Sequence, residues 1–392
     1  MRESSSAHFP VHLYRLDDRY TTVRTATTRA LETVDWSQIR SVLVKPNLVS
    51  TTKRLADTHP DALRAVLDSV REFTSAPIVV GEGTATQNTW VAFYRLGYVE
   101  LVERYSDVSL LDFNVAETVS LAAYDRHLTP LHLEVAKPVF DADLVIAVGP
   151  PKTHDFVLVT LSLKNLIMGA IVSRFAPEPP PMERIRSGGD VRSPMVRVKR
   201  WARQVYDWIP ASVQAWPLFE WPRFFFMAHE PRSHKFRMHQ SYPVLHLNLF
   251  YMAWQGLRPH VSVIDGWEAM EGDGPTNGTR VDWRVVAASR DALAADVLMA
   301  DSMGFPVDEV GYLYYAAMAG LGQGDVSRMS VQGNITPAEI RRPFRGHRLL
   351  ANQRRWRDPK VQALVEAIIA AEPPQSPRSS DPPPMPGRPG TS

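Results

Sequence analysis

Residues 150–169, with the sequence PPKTHDFVLVTLSLKNLIMG, place side chains capable of acid–base chemistry inside apolar sequence. The imidazole of His154 has an ordinary pKa close to neutral pH, and burial would lower the pKa of a lysine until its amine could act as a base or nucleophile. We therefore predict His154 and Lys164 as catalytic residues, with Lys152 and Asn165 binding the substrate. The alternative is that these residues are only the polar positions of a buried helix or strand and bind no ligand.

The backbone between His154 and Lys164 decides whether the two side chains can meet. One continuous helix over 157–168 would not place them cleanly on one face, whereas an extended or looped 155–163 would let both reach one cavity. The polar residues that alternate with leucine in TLSLK permit a short strand without establishing it.

Other polar clusters also follow apolar runs rich in β-branched residues. Lys45 and Asn47 end the run SVLVKPN, and Glu82 and Thr84 lie in VVGEGT. In parallel sheets, ligands bind beyond the carboxyl ends of the strands, where loops lead into helices. We therefore predict one shared site to which these four residues contribute substrate-binding groups. The alternative is that Lys45 is a surface lysine and that the other three residues belong to ordinary turns.

Acidic side chains crowd the glycine-rich stretch IDGWEAMEGDGP. Asp265 and Glu271 would supply the hard oxygen ligands that suit Mg²⁺ or Ca²⁺, so we predict them as ligands of a divalent metal; orienting the lysines is the alternative role. His239 and His246 are seven positions apart, which matches no zinc signature, and a structural role is favoured for both.

The elements that must position these groups alternate between strand and helix patterns. Short apolar runs over 41–49, 76–83 and 142–150 are typical of buried strands, and helical patterns cover 22–34 and the segment that Pro60 opens. This alternation predicts an α/β fold: a mainly parallel sheet with helices on both faces, plus an aromatic-rich helical insert.

The change of composition along the chain predicts its organisation. We assign 1–173 and 239–372 to the N-terminal and C-terminal parts of the α/β domain, 174–238 to a Pro- and Trp-rich insert or lid, and 373–392 to a disordered tail. Within the insert, 197–226 combines basic residues with Trp and Phe, as a membrane-surface anchor does; a lid that packs its rings on the core is the favoured alternative.

The overall composition narrows the classes of function. Of 392 residues, 44 are basic and 42 acidic, so no global charge favours nucleic acid, and none is expected as a partner. The absence of Cys excludes a cysteine-ligated iron–sulfur cluster, a catalytic thiol and disulfides. No secretory signal pattern and no run of about 18 apolar residues occurs, so a cytoplasmic location is expected.

The order of these motifs resembles that of the family called domain of unknown function 362. The resemblance runs from about residue 40 to 325 and is carried by VLVKPNLV, VVGEGT, ADLVIAVGPPKTH, VTLSLKNLIMG, IDGWEAMEGDGP and SRDALAADVLMADSMG. Some members of that family carry ferredoxin-like iron–sulfur clusters, which this chain cannot hold because it lacks Cys.

The spacing from His154 to Lys164 is also similar to that of the nickel-pincer lactate racemase family. By that resemblance Lys164 would carry a cofactor and His154 would be the acid/base, although the glycine-rich context of the racemases is missing here. The cofactor is otherwise left open, with a divalent metal as one candidate.

These inferences converge on an enzyme that binds a small anionic substrate, a carboxylate or phosphate, in a strand-end cleft and uses Lys and His for acid–base chemistry. Two alternatives remain: a non-catalytic accessory protein for a metal or redox partner, and a peripheral membrane protein that contacts lipid through 197–226.

Overall fold

The computed structural model describes residues 9–50, 53–84, 88–173 and 233–371, together with isolated residues between 198 and 218. The described residues form twelve strands, which are β1 Val11–Tyr14, β2 Val42–Lys45, β3 Ile78–Glu82, β4 Val108–Asp112, β5 Thr118–Tyr124, β6 Pro130–Ala136, β7 Leu144–Gly149, β8 Lys152–His154, β9 Leu158–Thr160, β10 Val261–Glu271, β11 Thr279–Ser289 and β12 Val331–Gly333.

Within the same residues there are fourteen α-helices. They are α1 Arg19–Leu31, α2 Pro60–Arg71, α3 Thr89–Arg95, α4 Tyr98–Val102, α5 Pro138–Asp141, α6 Ser162–Ala170, α7 Ala211–Gln214, α8 His234–Met238, α9 Tyr242–Trp254, α10 Ala292–Ser302, α11 Gly311–Met318, α12 Pro337–Ile340, α13 Leu350–Gln353 and α14 Pro359–Ala370.

The main sheet has the strand order β12–β1–β11–β10–β7–β2–β3–β4, and the β8–β9 hairpin extends it beside β10. The strands β10, β7, β2, β3 and β4 are mutually parallel, whereas β11 runs antiparallel to both β10 and β1. Strands from both halves of the chain therefore share one sheet.

Successive residues of the central strands enter opposite cores. In β2, Val42 and Val44 pack into the core that contains α1 to α4, whereas Leu43 packs into the core that contains α6, α9 and α10. Because a strand alternates its side chains, a strand covered on both faces must be apolar throughout. This arrangement confirms the predicted mainly parallel sheet with helices on both faces.

A second sheet of two strands, β5 and β6, is an element that the sequence patterns did not predict. Its connection lacks the Asn-Gly or Asp-Gly signal of a tight hairpin, and Leu128 adopts the left-handed conformation there at φ 58°. The amide side chains of Asn248 and Gln255 on α9 bond to the backbone of Tyr124 and Ala122 and so hold the hairpin against that helix.

Two predicted segments fall mainly or wholly outside the described residues. The tail over 373–392 is not described, and the aromatic insert is represented only by isolated positions and by its last residues, 233–238. The predicted boundaries of these segments stay predictions. None of the helices in the described part of the chain has the length and apolar character needed to span a bilayer.

Candidate functional site

The carboxyl ends of three adjacent parallel strands bring the predicted polar clusters together. Lys45 ends β2, Glu82 ends β3, and Lys152 begins β8 just after β7. All three side chains are buried, with exposures of 0%, 3% and 0%. Charged side chains are almost never this buried unless they are paired, so the contacts of each group indicate its role.

The ammonium of Lys45 is fully occupied by protein acceptors. Its Nζ lies 2.7 Å from Glu82 Oε2, 2.8 Å from Pro46 O and 2.9 Å from Asn165 Oδ1. An ammonium has three N–H donors, and these contacts use all of them. This geometry leaves no donor of Lys45 for the substrate-binding role predicted for it and favours a structural one: Lys45 joins the ends of β2 and β3 to α6.

The amides of Asn47 and Asn165 connect Lys45 to Lys152. The Asn47 Nδ2 donates to Asn165 Oδ1 at 2.6 Å, and its Oδ1 accepts from Lys152 Nζ at 2.5 Å. Lys152 also donates to Ala56 O, and burial lowers its pKa. Both asparagines therefore bind other protein side chains and line a narrow crevice beside Gly149, Pro150, Leu161 and Ser162.

A further buried lysine, Lys235, was missed by the sequence analysis. It lies on α8, is 1% exposed, and donates to the carbonyl oxygens of Gly83 and Gly169. Burial lowers its pKa to about 8. Nothing in the local sequence HKFRM indicates this role, because one acceptor follows β3 and the other lies near the end of α6, and only the tertiary fold brings them near α8.

Gly169 leaves the space that the buried ion pair occupies. A Cβ at this position would lie 2.0 Å from Lys45 Cε and 2.4 Å from Glu82 Oε1. The absence of a side chain here lets α6 approach the strand ends closely, and this approach places the Asn165 amide against Lys45.

Replacing Gly169 with alanine is expected to destabilise the protein by about 1–3 kcal/mol, because the new methyl group must displace a fully bonded ion pair. Helix propensity alone predicts the opposite sign, a gain of about 1 kcal/mol. Chemical denaturation of the variant decides between the two effects, and a stabilised Gly169→Ala variant would contradict the packing described here.

The backbone between His154 and Lys164 takes the extended course that the sequence left open. His154 ends β8, β9 returns antiparallel to it over Leu158–Thr160, and α6 begins at Ser162. This hairpin brings the two side chains into one buried cluster, in which the charge of Lys164 contributes to lowering the pKa of His154.

The first turn of α6 is held by a carboxylate from another helix. Leu161 precedes the helix and has no side-chain cap; instead Asp296 on α10 accepts from Ser162 N at 2.9 Å, from Ser162 Oγ at 2.5 Å and from Leu163 N at 2.9 Å. Helix N-termini expose N–H groups that need such acceptors. Asp296 therefore fixes the turn that carries Lys164, and burial raises its own pKa to about 7.

Lys164 is the one buried lysine among the described residues whose amine has no hydrogen-bond or ion-pair partner. The residue is 8% exposed. Burial lowers its pKa to about 7, and the charge of Lys152 contributes in the same direction. A large fraction of the amine is therefore neutral at physiological pH, as a base or nucleophile requires.

His154 bonds to its own chain through one ring nitrogen, and its other ring nitrogen has no hydrogen-bond partner among the residues that the structure describes. Its Nδ1 accepts a hydrogen bond from Phe156 N at 3.0 Å, which assigns the proton of the neutral ring to Nε2. Burial lowers the pKa of His154 well below its ordinary value, so the ring is neutral near pH 7 and the nearby Asp155 carboxylate does not form an ion pair with it.

Two further histidines, His239 and His246, lie in different parts of the structure. His239 lies near the cluster, bonded through Nδ1 to Lys235 O at 2.8 Å and packed edge-on against Phe156. His246 is buried on α9, where its Nδ1 accepts from Tyr312 N at 3.0 Å. The structural role favoured for both from the sequence agrees with these contacts.

The remaining predicted residues lie outside the lysine cluster. Thr84 contacts Thr89 at the start of α3, with 3.3 Å between the hydroxyl oxygens. Asp265 pairs with Arg19 at 3.3 Å, and Glu271, six positions farther along β10, accepts from Arg345 N. Among the described residues no group of three or more His, Asp or Glu side chains could hold a metal ion, so the metal-binding role stays a prediction without support from this geometry.

Comparison with known proteins gives a family and two distant similarities. A thylakoid-associated protein of Synechocystis sp. is 22% identical over 262 residues, which cover 66% of this chain and 62% of that protein, so the chain spans less than two thirds of this relative. The lactate racemase apoprotein of Thermoanaerobacterium thermosaccharolyticum aligns with a TM-score of 0.30 at 19% identity over 41% of this chain and 38% of that one. The model of the family described as domain of unknown function (DUF362) matches residues 42–301, and the chain belongs to that family.

Proposed function

We propose that this protein is an enzyme that binds a small anionic substrate, a carboxylate or a phosphate, beside Lys164 and His154 and transfers a proton through these two side chains. One observation supports it above all: a buried lysine amine that has no partner in the described part of the chain lies close to a histidine that burial keeps neutral. Structural lysines are normally paired when buried, as the other three lysines of this cluster are.

The charge around Lys164 supports an anion as the ligand. Lys152, Lys45 and Lys235 all disfavour the protonated form of Lys164, whereas Asp155 favours it. A bound carboxylate or phosphate would add a counter-charge, raise the pKa of Lys164 and remove part of the cost of burying its ammonium. The protonated amine would then hold the anion while the Nε2 of His154 exchanges a proton with the substrate.

Calorimetric titration of small carboxylates and inorganic phosphate into wild-type, Lys164→Ala and His154→Ala proteins tests this proposal. Both variants should bind more weakly, Lys164→Ala by at least about tenfold, because a charge-assisted contact contributes about 1.5–3 kcal/mol. Lys360→Ala, which changes an exposed lysine on α14, is the matched control. Unchanged affinity in both site variants would refute the assignment.

A second candidate function rests on exposed tryptophans between 198 and 218. Trp201, Trp208 and Trp216 expose 65%, 84% and 59% of their surface. Indole rings are favoured at membrane interfaces, and the sequence places Lys199, Arg200 and Arg203 beside Trp201. The relative from Synechocystis is described as thylakoid-associated. We propose that this segment contacts anionic lipid at a membrane surface.

Sedimentation with phosphatidylcholine vesicles, with and without phosphatidylglycerol, tests the membrane contact. Wild-type protein should sediment with the anionic vesicles, and replacing all three tryptophans with serine should abolish this binding. Val115→Ser, which removes an equally exposed apolar side chain between β4 and β5, should have no effect. Equal sedimentation of the wild-type and triple-variant proteins would eliminate the proposal.

A further inference from the structure

The four buried lysines of the cluster differ in how many acceptors they have. Lys45 has three, Lys152 and Lys235 have two each, and Lys164 has none among the described residues. A buried ammonium needs hydrogen-bond acceptors, whereas a neutral amine tolerates their absence at far lower cost. The surroundings of Lys164 therefore suit the neutral amine with its free lone pair.

The position of Lys164 is also more rigid than that of a surface lysine. It lies in the first turn of α6, which Asp296 bonds through Ser162 and Leu163, and the opposite end of that helix packs on the ion pair at Gly169. The crevice lined by Ser162 and Asn165 adjoins the same turn. A nucleophile held in this way needs little reorganisation when a substrate binds beside it.

His154 supplies the second group that addition of an amine to a carbonyl requires. Its Nδ1 is bonded to Phe156 N, so the neutral ring carries its proton on Nε2. This N–H can donate to a carbonyl oxygen and then transfer a proton to it as the oxygen gains charge.

We propose that Lys164 forms an imine with a small anionic aldehyde or 2-oxo acid, an inference that rests on the proposed function and names its substrate class. The neutral form of the Lys164 amine, in exchange with the protonated form that holds the anion, adds to the carbonyl carbon. The two N–H protons of the amine pass to the oxygen by way of His154, the C–O bond breaks, and the oxygen leaves as water, so that a C=N bond replaces the C=O bond. No oxidant or reductant is consumed. The cations around Lys164 favour a substrate whose carbonyl carries a carboxylate.

Reductive trapping tests this proposal on the full-length protein. Incubation with glyoxylate and sodium cyanoborohydride near neutral pH should give one reduced adduct, located on Lys164 by peptide mass mapping. A lysine with a pKa of about 7 has roughly a thousandfold more neutral amine at neutral pH than one with the ordinary value of about 10.4. Acetaldehyde, which lacks the carboxylate, should react more slowly.

Controls separate this inference from the proposed function. Lys164→Arg keeps the cation but should lose the adduct, whereas Lys360→Arg should leave it unchanged. No adduct, adducts spread over surface lysines, or equal rates for glyoxylate and acetaldehyde would each overturn the imine proposal. Wild-type protein that fails to trap glyoxylate yet binds phosphate through Lys164 would overturn the imine alone; loss of both would overturn the proposed function as well.

Discussion

Glutamine in place of Glu82 is expected to lower the free energy of unfolding by about 3–5 kcal/mol, because the substitution leaves the ammonium of Lys45 buried without a counter-charge. The Glu82 carboxylate accepts from Lys45 Nζ, Leu48 N and Gly83 N, using both oxygens. Whichever way a glutamine amide is turned, its NH₂ group faces one of these donors. Urea denaturation of the variant measures the loss.

A surface ion pair of similar length provides the matched control. Glu72 lies 2.8 Å from Arg24, but the two side chains are 36% and 44% exposed. Glu72→Gln should therefore cost at most about 1 kcal/mol. Adding Lys45→Met to Glu82→Gln should recover part of the loss, because it removes the unbalanced charge. A Glu82→Gln variant as stable as Glu72→Gln would contradict the assigned role of the buried pair.

Methionine in place of Lys164 is expected to stabilise the protein, although it should weaken the proposed anion binding. The pKa of Lys164 falls from 10.5 in the unfolded chain to about 7 in the folded one. The cost of burying the charge is therefore complete below about pH 7 and disappears as the pH rises towards 10.5. The difference between these pKa values corresponds to at most about 5 kcal/mol, which bounds the gain at acidic pH.

The pH dependence of this gain is the decisive measurement. Urea denaturation in buffers without phosphate or carboxylates should show a larger gain for Lys164→Met near about pH 6 than near about pH 9.5. Lys360→Met should change little at either pH, because the residue is exposed. A gain that grows with pH, or a destabilised Lys164→Met variant, would show that Lys164 has a stabilising partner.

The sheet and the meeting of its polar strand ends could be predicted from the sequence because they depend on local patterns. The run before Lys45 is short, apolar and rich in β-branched residues, and the proline after it ends the strand. Parallel pairing of β2, β3 and β7 then places their following loops at one edge. The extended backbone after His154 was only one of two options, since TLSLK suits a strand and a helix start equally.

The division of roles among the lysines could not be predicted in this way. Lys45 and Lys164 both lie in apolar sequence. Only three-dimensional distances show that Lys45 has three acceptors and that Lys164 has none within the described ranges. Lys235 is far from its acceptors in sequence. Asp296 could have been recognised from the sequence, because a carboxylate in the middle of the apolar helix sequence ALAADVLMADS needs a buried partner.

The residues on either side of the segment 174–232 are both hydrogen-bonded to the same residue of β6, Glu134. On the outgoing side Val172 N donates to Glu134 O, and on the returning side His234 Nδ1 accepts from Glu134 N at 3.4 Å. Since Val172 and His234 are anchored side by side on Glu134, a short glycine–serine linker could join the chain across this gap with little entropic penalty.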